Sequence, residues 1–569
     1  MEKISSADSQ LEKLKEELLS ILLEEAENNW ENENRVRPMP RPAQIPLSFA
    51  QRRLWFLDRW EGPSPTYNIP IALRLSGSLD YAALEAALGD VVERHESLRT
   101  LFPESEGTPY QLILEPANAR PRLTLQAVTE EALSVAIAQT ACYSFELANE
   151  IPLRAELFIL SPNEHVLVLV LHHIASDGWS TAWLARDLVG AYIARSQSKA
   201  HELPVLPVQY ADYTLWQGQL LGSETDPQSV INRQIAFWKK TLEGLPEELE
   251  LPTDRPRPAK SSYRGATVPL HIEAELHGRL ALLTREHQAS LFMVLQSALA
   301  ALLTRLGAGT DIPIGCPIAG RTDSALEELV GFFVNTLVLR TDTSANPTFA
   351  ELLARVRNAD LAAYGHQDLP FERLVELLNP ARSLNRHPLF QVMLAFQNTP
   401  EARLEVPGLV VTQEQYKTGV AKFDLSISLG ELYSPNGTPK GIEGVIEYSS
   451  DLFEPSTIEA MARRLERLLE GVAADPNQPI GRLELLEPEE REQILLEWNE
   501  TGCLVPNATL PALFEAQVQR SPLATALVFK ETTLSYSELN AQANRLAHFL
   551  IDQRDRTRKS CRRSPASLD

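Results

Sequence analysis

The residues best suited to chemistry stand together near position 175. His172 and His173 are followed by three small or apolar residues and then by Asp177 and Gly178. An imidazole is the side chain best matched to proton transfer near neutral pH. The run 166–171 before the histidines is wholly apolar. The pattern therefore predicts a proton-transfer or hydrogen-bonding site at the end of a buried strand.

The acid and the glycine suggest how the loop is held. Asp177 is placed to orient the loop by pairing with a cation elsewhere, and Gly178 predicts a backbone shape or a close approach that a Cβ would forbid. A buried histidine pair followed by a helix-capping Asp-Gly turn explains the same residues. Taken alone, the motif leaves the catalytic and the structural interpretation open.

Two other chemistries fit poorly. Adjacent histidines on a strand point to opposite faces, so His172 and His173 are not expected to bind one ion, and no third ligand stands nearby at metal-binding spacing. A serine-hydrolase interpretation fails because the sequence has no GxSxG elbow. We expect no metal site.

The elements that must position the motif follow from hydrophobic periodicity. Asp80 is a predicted helix cap, with Leu84, Leu88, Val91 and Val92 on one face of the helix. Ser290 is a second predicted cap. The sequence further predicts helices at 179–195 and 457–472 and strands at 154–160, 165–171, 311–317, 333–340, 388–396 and 441–448.

Length and composition restrict the class of protein. The 569 residues are 44% hydrophobic, which indicates a globular chain of two to four units. A net charge of -23 disfavours binding to nucleic acid. The longest apolar runs are too short for a membrane span, and the N-terminus has no signal-peptide core, so we expect a cytoplasmic protein. The four scattered cysteines indicate neither zinc nor disulfides.

The N-terminal region is predicted to be separable from the main body. Residues 1–30 form a predicted amphipathic helix, which either packs on the body or docks a partner protein. The Pro-rich stretch 31–44 is a predicted linker. Residues 45–487 form the mixed α and β body, with predicted lobes at about 45–205 and 208–487.

The C-terminal region changes character. Residues 488–511 are a predicted linker, although 488–498 has the pattern of a charged helix. Residues 512–552 resemble only the opening of a further α/β domain. Residues 553–569 are basic and predicted to be disordered.

The motifs that flank the histidines decide between the two interpretations. In order along the chain, they resemble the seven signatures of the condensation domains of nonribosomal peptide synthetases. These are 48–55, 94–102, 172–178, 210–216, 331–340, 366–372 and 382–389, the last of which has His387 where Asn is commonest. Seven motifs in order make a chance match negligible.

The resemblance implies a fold and a reaction. The family fold is α/β (α+β), with two chloramphenicol-acetyltransferase-like lobes in a V-shaped pseudodimer around a central tunnel. Donor and acceptor peptidyl carrier proteins present thioesters on phosphopantetheine arms, which are substrates, and no cofactor is bound covalently. The acceptor's amine attacks the donor thioester and an amide forms.

The resemblance also assigns roles within the site. His173 is the active-site histidine, either as general base or as a positioning group, and His172 and Gly178 complete the catalytic motif. Asp177 is expected to hold structure by pairing with an arginine of the other lobe, for which Arg321 is the candidate. The retained histidines and the absence of a second His-His motif favour condensation between two L-configured partners.

Residues 534–547 resemble the start of an adenylation domain. The later motifs of that domain are absent, so we expect a truncated adenylation segment without ATP-dependent activation, and a partner role for other synthetase modules. Two alternatives remain open: a carrier-dependent acyltransferase acting on a free amine or alcohol, and an inactive synthetase remnant.

Overall fold

The computed structural model describes residues 35–199, 203–381, 383, 385–397, 406–414, 419–502 and 507–561. The predicted helix at 1–30 lies outside the described residues, as do Arg382 and Leu384 of the last motif. The chain forms two compact units, Met1–Leu485 and Leu486–Asp569.

The first unit contains eleven helices and fifteen strands among its described residues. The helices are α1 Phe49–Glu61, α2 Tyr81–Arg94, α3 Glu130–Ala141, α4 Ser180–Ser196, α5 Tyr210–Leu221, α6 Val230–Thr241, α7 Ala274–Glu286, α8 Leu291–Arg305, α9 Phe349–Tyr364, α10 Phe371–Leu378 and α11 Pro455–Ala474. The strands are β1 Ile45–Pro46, β2 Asn68–Gly77, β3 Thr100–Leu101, β4 Glu104–Ser105, β5 Thr108–Ile113, β6 Leu123–Ala127, β7 Leu153–Ser161, β8 Glu164–His172, β9 Gly265–Ile272, β10 Asp311–Ile318, β11 Asn335–Asp342, β12 Val392–Gln397, β13 Leu409–Gln413, β14 Leu425–Tyr433 and β15 Pro439–Ser449.

The first lobe is a five-stranded sheet in the order β13-β2-β8-β7-β6. Its central strand β8 is buried at every position from His165 to His172, because α2 and α4 pack on one face and α3 covers the other. A continuous apolar run is the pattern expected of a strand covered on both faces. The predicted strand at 165–171 is confirmed.

The second lobe is a six-stranded sheet in the order β11-β10-β12-β14-β15-β9. Helices α7, α8, α9 and α11 cover it and contribute to the largest hydrophobic cluster of the molecule. Helix α8 supplies much of this core, since all but three of its fifteen residues are buried. The predicted α/β architecture of two lobes is confirmed.

Segments from the second half of the chain contribute to the first lobe. Strand β13 follows β12 in the chain, but it pairs antiparallel with β2 of the first sheet, from Leu409 opposite Gly77 to Gln413 opposite Leu73. Val330, from the second half of the chain, is also part of the first lobe's core. A division of the chain at about residue 206 therefore does not separate the lobes.

The predicted helix caps are confirmed. The Asp80 side chain accepts a hydrogen bond from the backbone N–H of Ala83 at 3.0 Å, at the start of α2. The Ser290 hydroxyl accepts one from Met293 at 3.2 Å, at the start of α8. Both caps satisfy a backbone donor that the first helical turn leaves without an intrahelical partner.

The second unit comprises α12 Pro488–Leu495, α13 Leu510–Arg520, the hairpin of β16 Thr525–Phe529 and β17 Thr532–Ser535, and α14 Tyr536–Cys561. None of its described side chains is buried. Helix α14 extends to Cys561 and so includes residues 553–561 of the basic tail. Arg and Lys favour helix, and cations suit the last turn of a helix dipole.

Among the described residues, no single helix combines the length and the hydropathy of a membrane span. Helices α7 and α8 meet both limits only as a pair, which is bent by 104°.

Candidate active site

His172 is the last residue of β8 and shapes the turn that follows. Its Nδ1 accepts a hydrogen bond from the backbone N–H of Ile174 at 3.2 Å. Its ring packs edge-on against Phe145, with centroids 6.0 Å apart. Burial, with smaller effects of nearby cationic groups, lowers the pKa of His172 to about 3. His172 is thus a neutral side chain that fixes the backbone beneath its neighbour.

His173 opens a short 3₁₀ turn, His173–Ala175. Its ring lies against Phe332, with centroids 4.9 Å apart. Its Nδ1 is buried and has no hydrogen-bond partner among the described residues. Burial, followed by the charges of Lys422 and Arg53, lowers the pKa of His173 to about 3. A neutral imidazole of this kind is a good hydrogen-bond acceptor but a weak proton acceptor.

Asp177 is fully buried, and its carboxylate accepts hydrogen bonds from groups on both sides of the loop. Its Oδ1 accepts hydrogen bonds from the Ser180 backbone N–H at 2.9 Å and from the Ser180 hydroxyl at 2.7 Å. Its Oδ2 accepts one from the backbone N–H of Phe333 at 2.9 Å. The carboxylate therefore ties the turn after His173 to the start of α4 and to a segment from the second half of the chain.

Arg321 lies on the other side of this carboxylate. Its guanidinium is 3.3 Å from Asp177 Oδ1 and donates to the Ser180 hydroxyl at 2.9 Å. It also donates to the carbonyl oxygens of Leu326 and Leu329, and stacks on Phe333 at 4.1 Å. The predicted partner of Asp177 is thus in contact with it, inside a buried network.

Gly178 differs from the expectation that a Cβ would be forbidden there. It does not have a positive φ, and an added Cβ would meet no described atom within 4 Å. The residue is exposed, and its carbonyl accepts a hydrogen bond from the Thr181 hydroxyl at 2.6 Å.

Side chains of the motifs at 48–55 and 210–216 hold the backbone around the catalytic turn. The Gln51 side chain of α1 donates to the carbonyl of Ile174 at 3.2 Å. The Tyr210 hydroxyl contacts Ser48 at 2.9 Å and donates to the carbonyl of Phe332 at 2.6 Å. These contacts hold the backbone next to His173 and the backbone of Phe332, whose ring packs against His173.

The second motif forms a buried ionic cluster behind the site. His95 and Arg94 both contact Asp187 of α4, at 2.9 Å and 3.2 Å, and Arg94 also pairs with Glu328 at 3.0 Å. These pairs join α2 to α4 and to the segment that carries Phe333.

Lys422 lies close enough to the histidines for its charge to act on both, and no sequence pattern selected it. It precedes β14, and its ammonium packs on the Tyr67 ring at 4.8 Å. It acts electrostatically on both histidines. The only local signal is a charged residue before an alternating strand, and such a residue is usually solvent-exposed.

A cavity of about 940 Å³ lies between the sheets of the two lobes. Aliphatic side chains of β2, β8, β13 and α4 line it from the first sheet and its helix, and residues of β14 and β15 line it from the second sheet. Neither histidine lines this cavity; the lining residues related most directly to the motif are Ile69, which follows the residue opposite His172, and Thr181 in the first turn of α4. A cavity of this size and lining can hold a substrate of peptide size.

Metal binding has no support within the described part of the chain, where no group of three or more His, Cys, Asp or Glu side chains is arranged to hold an ion.

Comparisons with known proteins agree with this geometry. The family model described as "Condensation domain" matches residues 42–495. The chain is 57% identical over 513 residues to a dimodular nonribosomal peptide synthase of Bacillus subtilis (strain 168), covering 90% of this chain and 22% of that protein. It is 46% identical over 528 residues to an isonitrile lipopeptide synthase of Mycobacterium tuberculosis (strain ATCC 25618 / H37Rv), covering 91% and 21%. The chain thus spans about a fifth of the length of these two relatives.

Solved structures show the same fold. The X-domain from teicoplanin biosynthesis is 42% identical, with a TM-score of 0.74 over 79% of this chain and 100% of that one. A four-domain nonribosomal peptide synthetase bound to AMP and glycine has a TM-score of 0.77 at 22% identity, covering 90% of this chain and 39% of that one. The expected architecture of two chloramphenicol-acetyltransferase-like lobes is confirmed.

Proposed function

Because this chain belongs to the condensation-domain family, we propose that it forms amide bonds in nonribosomal peptide synthesis. A carrier-bound donor aminoacyl or peptidyl thioester is attacked by the amine of a carrier-bound acceptor aminoacyl thioester. The phosphopantetheine arms of the donor and acceptor carrier proteins are substrates, and the chemistry requires no bound cofactor.

The observation that carries this proposal is the placement of His173. It lies on a turn held by His172, Asp177 and Gln51, with Phe332 against its ring. Preorganisation of this kind suits a reaction between two tethered substrates, where correct placement alone can lower a barrier by about 7–11 kcal/mol.

His173 acts mainly as a positioning hydrogen-bond acceptor for the amine. Its low pKa makes it a poor proton acceptor in the ground state, while an aminoacyl thioester is already activated. Asp177 serves as scaffold, since its carboxylate is engaged by Ser180, Phe333 and Arg321. His172 orients the turn, and Gly178 leaves open space beside it.

The test supplies both substrates on carrier proteins and measures the dipeptidyl thioester by mass spectrometry. We expect product with the parent chain and a loss of about 10²-fold with His173→Ala at unchanged thermal stability, because the amine loses its positioning partner. The matched control is His287→Ala, since His287 directly follows α7 in the second lobe. No product from the parent chain, under conditions where a related condensation domain works, would support an inactive remnant instead.

The same assay separates condensation from acyl transfer to a free acceptor. We expect product only when the acceptor amine is carrier-bound. Equal or faster turnover with a free amine or alcohol would assign the chain to the second reaction.

We further propose that both substrates are L-configured. The chain retains both histidines of its motif and the form of the seventh signature closest to that subtype. Competing L- and D-aminoacyl donors in one reaction tests this, and a preference for the D-donor would contradict it.

The second unit is proposed to be the start of an adenylation-like segment without amino-acid activation of its own. The support is the resemblance at 534–547. The described part of this unit holds one two-stranded sheet and no buried side chain. ATP–pyrophosphate exchange by this chain with any of the twenty amino acids would contradict the proposal. Other synthetase modules are the expected partners.

A further inference from the structure

The Lys422 side chain extends from the second lobe to the first, where it contacts Tyr67 next to the end of β2. Its backbone belongs to the second lobe, but its ammonium lies 4.8 Å from the centre of the Tyr67 ring. Tyr67 ends the short 3₁₀ turn directly before Asn68, and Asn68 is the β2 residue opposite His172. A charged side chain of one lobe is thus held at the strand end where the other lobe presents its histidines.

The backbone on both sides of Lys422 is fixed. Ala421 donates its N–H to the Tyr263 carbonyl at 2.8 Å. Asp424 is paired with Arg257, whose guanidinium donates to it at 2.9 Å. Gly265 makes room for the segment, since a Cβ there would come within 2.5 Å of Ala421. The direction of the Lys422 side chain is therefore set by the fold.

The charged groups that act on Lys422 come from two elements. Glu447 of β15 favours the ammonium form, whereas burial and Arg53 of α1 oppose it, and the pKa of Lys422 falls to about 8. Burial raises the pKa of Glu447 despite the nearby ammonium. Arg53 is itself paired with Glu372 at 3.0 Å.

The same cations act on the histidines. Lys422 is the largest charge effect on His173 after burial, and Arg53 adds to it in the same direction. On His172, burial is followed by His173 and then by Lys422. A positive charge disfavours a second one nearby, whether on an imidazole or on an amine bound beside it.

We propose that Lys422 is a positioning residue of the condensation reaction, whose ammonium favours the neutral, nucleophilic form of an acceptor amine bound beside His173. The inference rests on the proposed function. The amine nitrogen attacks the donor carbonyl carbon, and a C–N bond replaces the C–S bond. The donor sulfur leaves as the pantetheine thiol and takes up the proton that the amine gives up.

The first test is the pH dependence of single-turnover dipeptide formation between pH 6 and 9. In Lys422→Met we expect the apparent pKa of the acid limb of the rate–pH profile to rise by about one pH unit. The rate at pH values below that pKa then falls about tenfold. Lys422→Arg keeps the charge and is expected to restore the parent profile. Lys440→Met, an exposed lysine at the start of β15, is the matched control and is expected to change nothing. A loss that is equal at every pH, or no loss, would overturn the proposal.

The second test needs no turnover. Lysine ¹³Cε NMR of the free full-length protein is expected to show one resonance that titrates about two units below the others and is missing in both Lys422 variants. Titration of Lys422 together with the surface lysines would overturn the proposal even if dipeptide forms. A shifted Lys422 in a protein that makes no dipeptide would support its placement at the site and refute the proposed reaction instead.

Discussion

At the scale of single residues, His173 and Asp177 differ in how the protein engages them. His173 has a ring nitrogen without a partner among the described residues, whereas Asp177 uses both carboxylate oxygens on the protein itself. This division predicts that the two residues fail differently when they are changed.

Replacing Asp177 with Ala should cost stability more than chemistry. The change leaves Arg321 buried without its carboxylate and frees donors on Ser180 and Phe333, so we expect a loss of about 3–5 kcal/mol in the free energy of unfolding. Urea denaturation measures it. Glu224→Ala is the control, because Glu224 pairs with Arg373 at the surface and should cost within about 1 kcal/mol. A stable Asp177→Ala protein without turnover would assign the carboxylate to the chemistry.

The residues of the site were predictable to different degrees. His173 and Asp177 stand within five residues of each other, so local sequence was enough to select them. Arg321 came only from the resemblance, because 144 positions separate it from Asp177. Lys422 reaches the site through a strand of the other lobe, and no local pattern records such a contact. The expectation for Gly178 was wrong because sequence alone does not show which side of a turn is open.

At the scale of elements, strand β13 joins the lobes. Its Leu409 is 8% exposed and belongs to the first lobe's core, while the next residue, Val410, is 64% exposed. The register opposite β2 places Leu409 across from Gly77. The stability of the first lobe should therefore depend on a strand contributed by the second half of the chain.

Changing Leu409 to Ala should destabilise the first unit by about 2–4 kcal/mol, because it empties a buried site. Val410→Ala is the matched control on the same strand and should cost about 0.5 kcal/mol or less, since its side chain faces solvent. Thermal unfolding by calorimetry compares the two. Equal effects would mean that β13 contributes no packing to the lobe.

Most elements could be predicted, and the pairing of β13 could not. Strand β8 has a continuous apolar run, and helices α2, α8 and α11 repeat apolar residues at helical spacing. The structure has each of them at its predicted position. Strand β13 is five residues long and half exposed. Its partner lies more than 330 positions earlier in the chain, and hydrophobic periodicity carries no information about such a pairing.

At the scale of the whole molecule, the cavity between the sheets offers room for part of a substrate if the proposed function holds. Ala185 of α4 lines it with open volume in front of the side chain. A larger residue there fills open space and does not crowd a packed core. It should therefore lower the rate with substrates and leave the stability of the fold unchanged.

Changing Ala185 to Trp should lower the rate of dipeptide formation about tenfold or more for substrates with large side chains, and less for glycyl substrates. Rates with each carrier-bound pair, alongside the thermal midpoint, measure this. Val205→Trp is the control, since Val205 is 96% exposed in the connection before α5. A uniform loss for all substrates, or a lowered midpoint, would contradict a role in holding substrate.

The exchanged strand also limits how such enzymes can be recombined. Laboratory chimeras and natural gene fusions join segments of chain, and a crossover placed between β12 and β13 would supply the first sheet with an edge strand from a different parent. The hydrogen-bond register of Leu409–Gln413 against β2 would then have to match by chance. Crossovers should therefore be tolerated outside the interval from β2 to β13, and exchange of one lobe alone should yield insoluble protein.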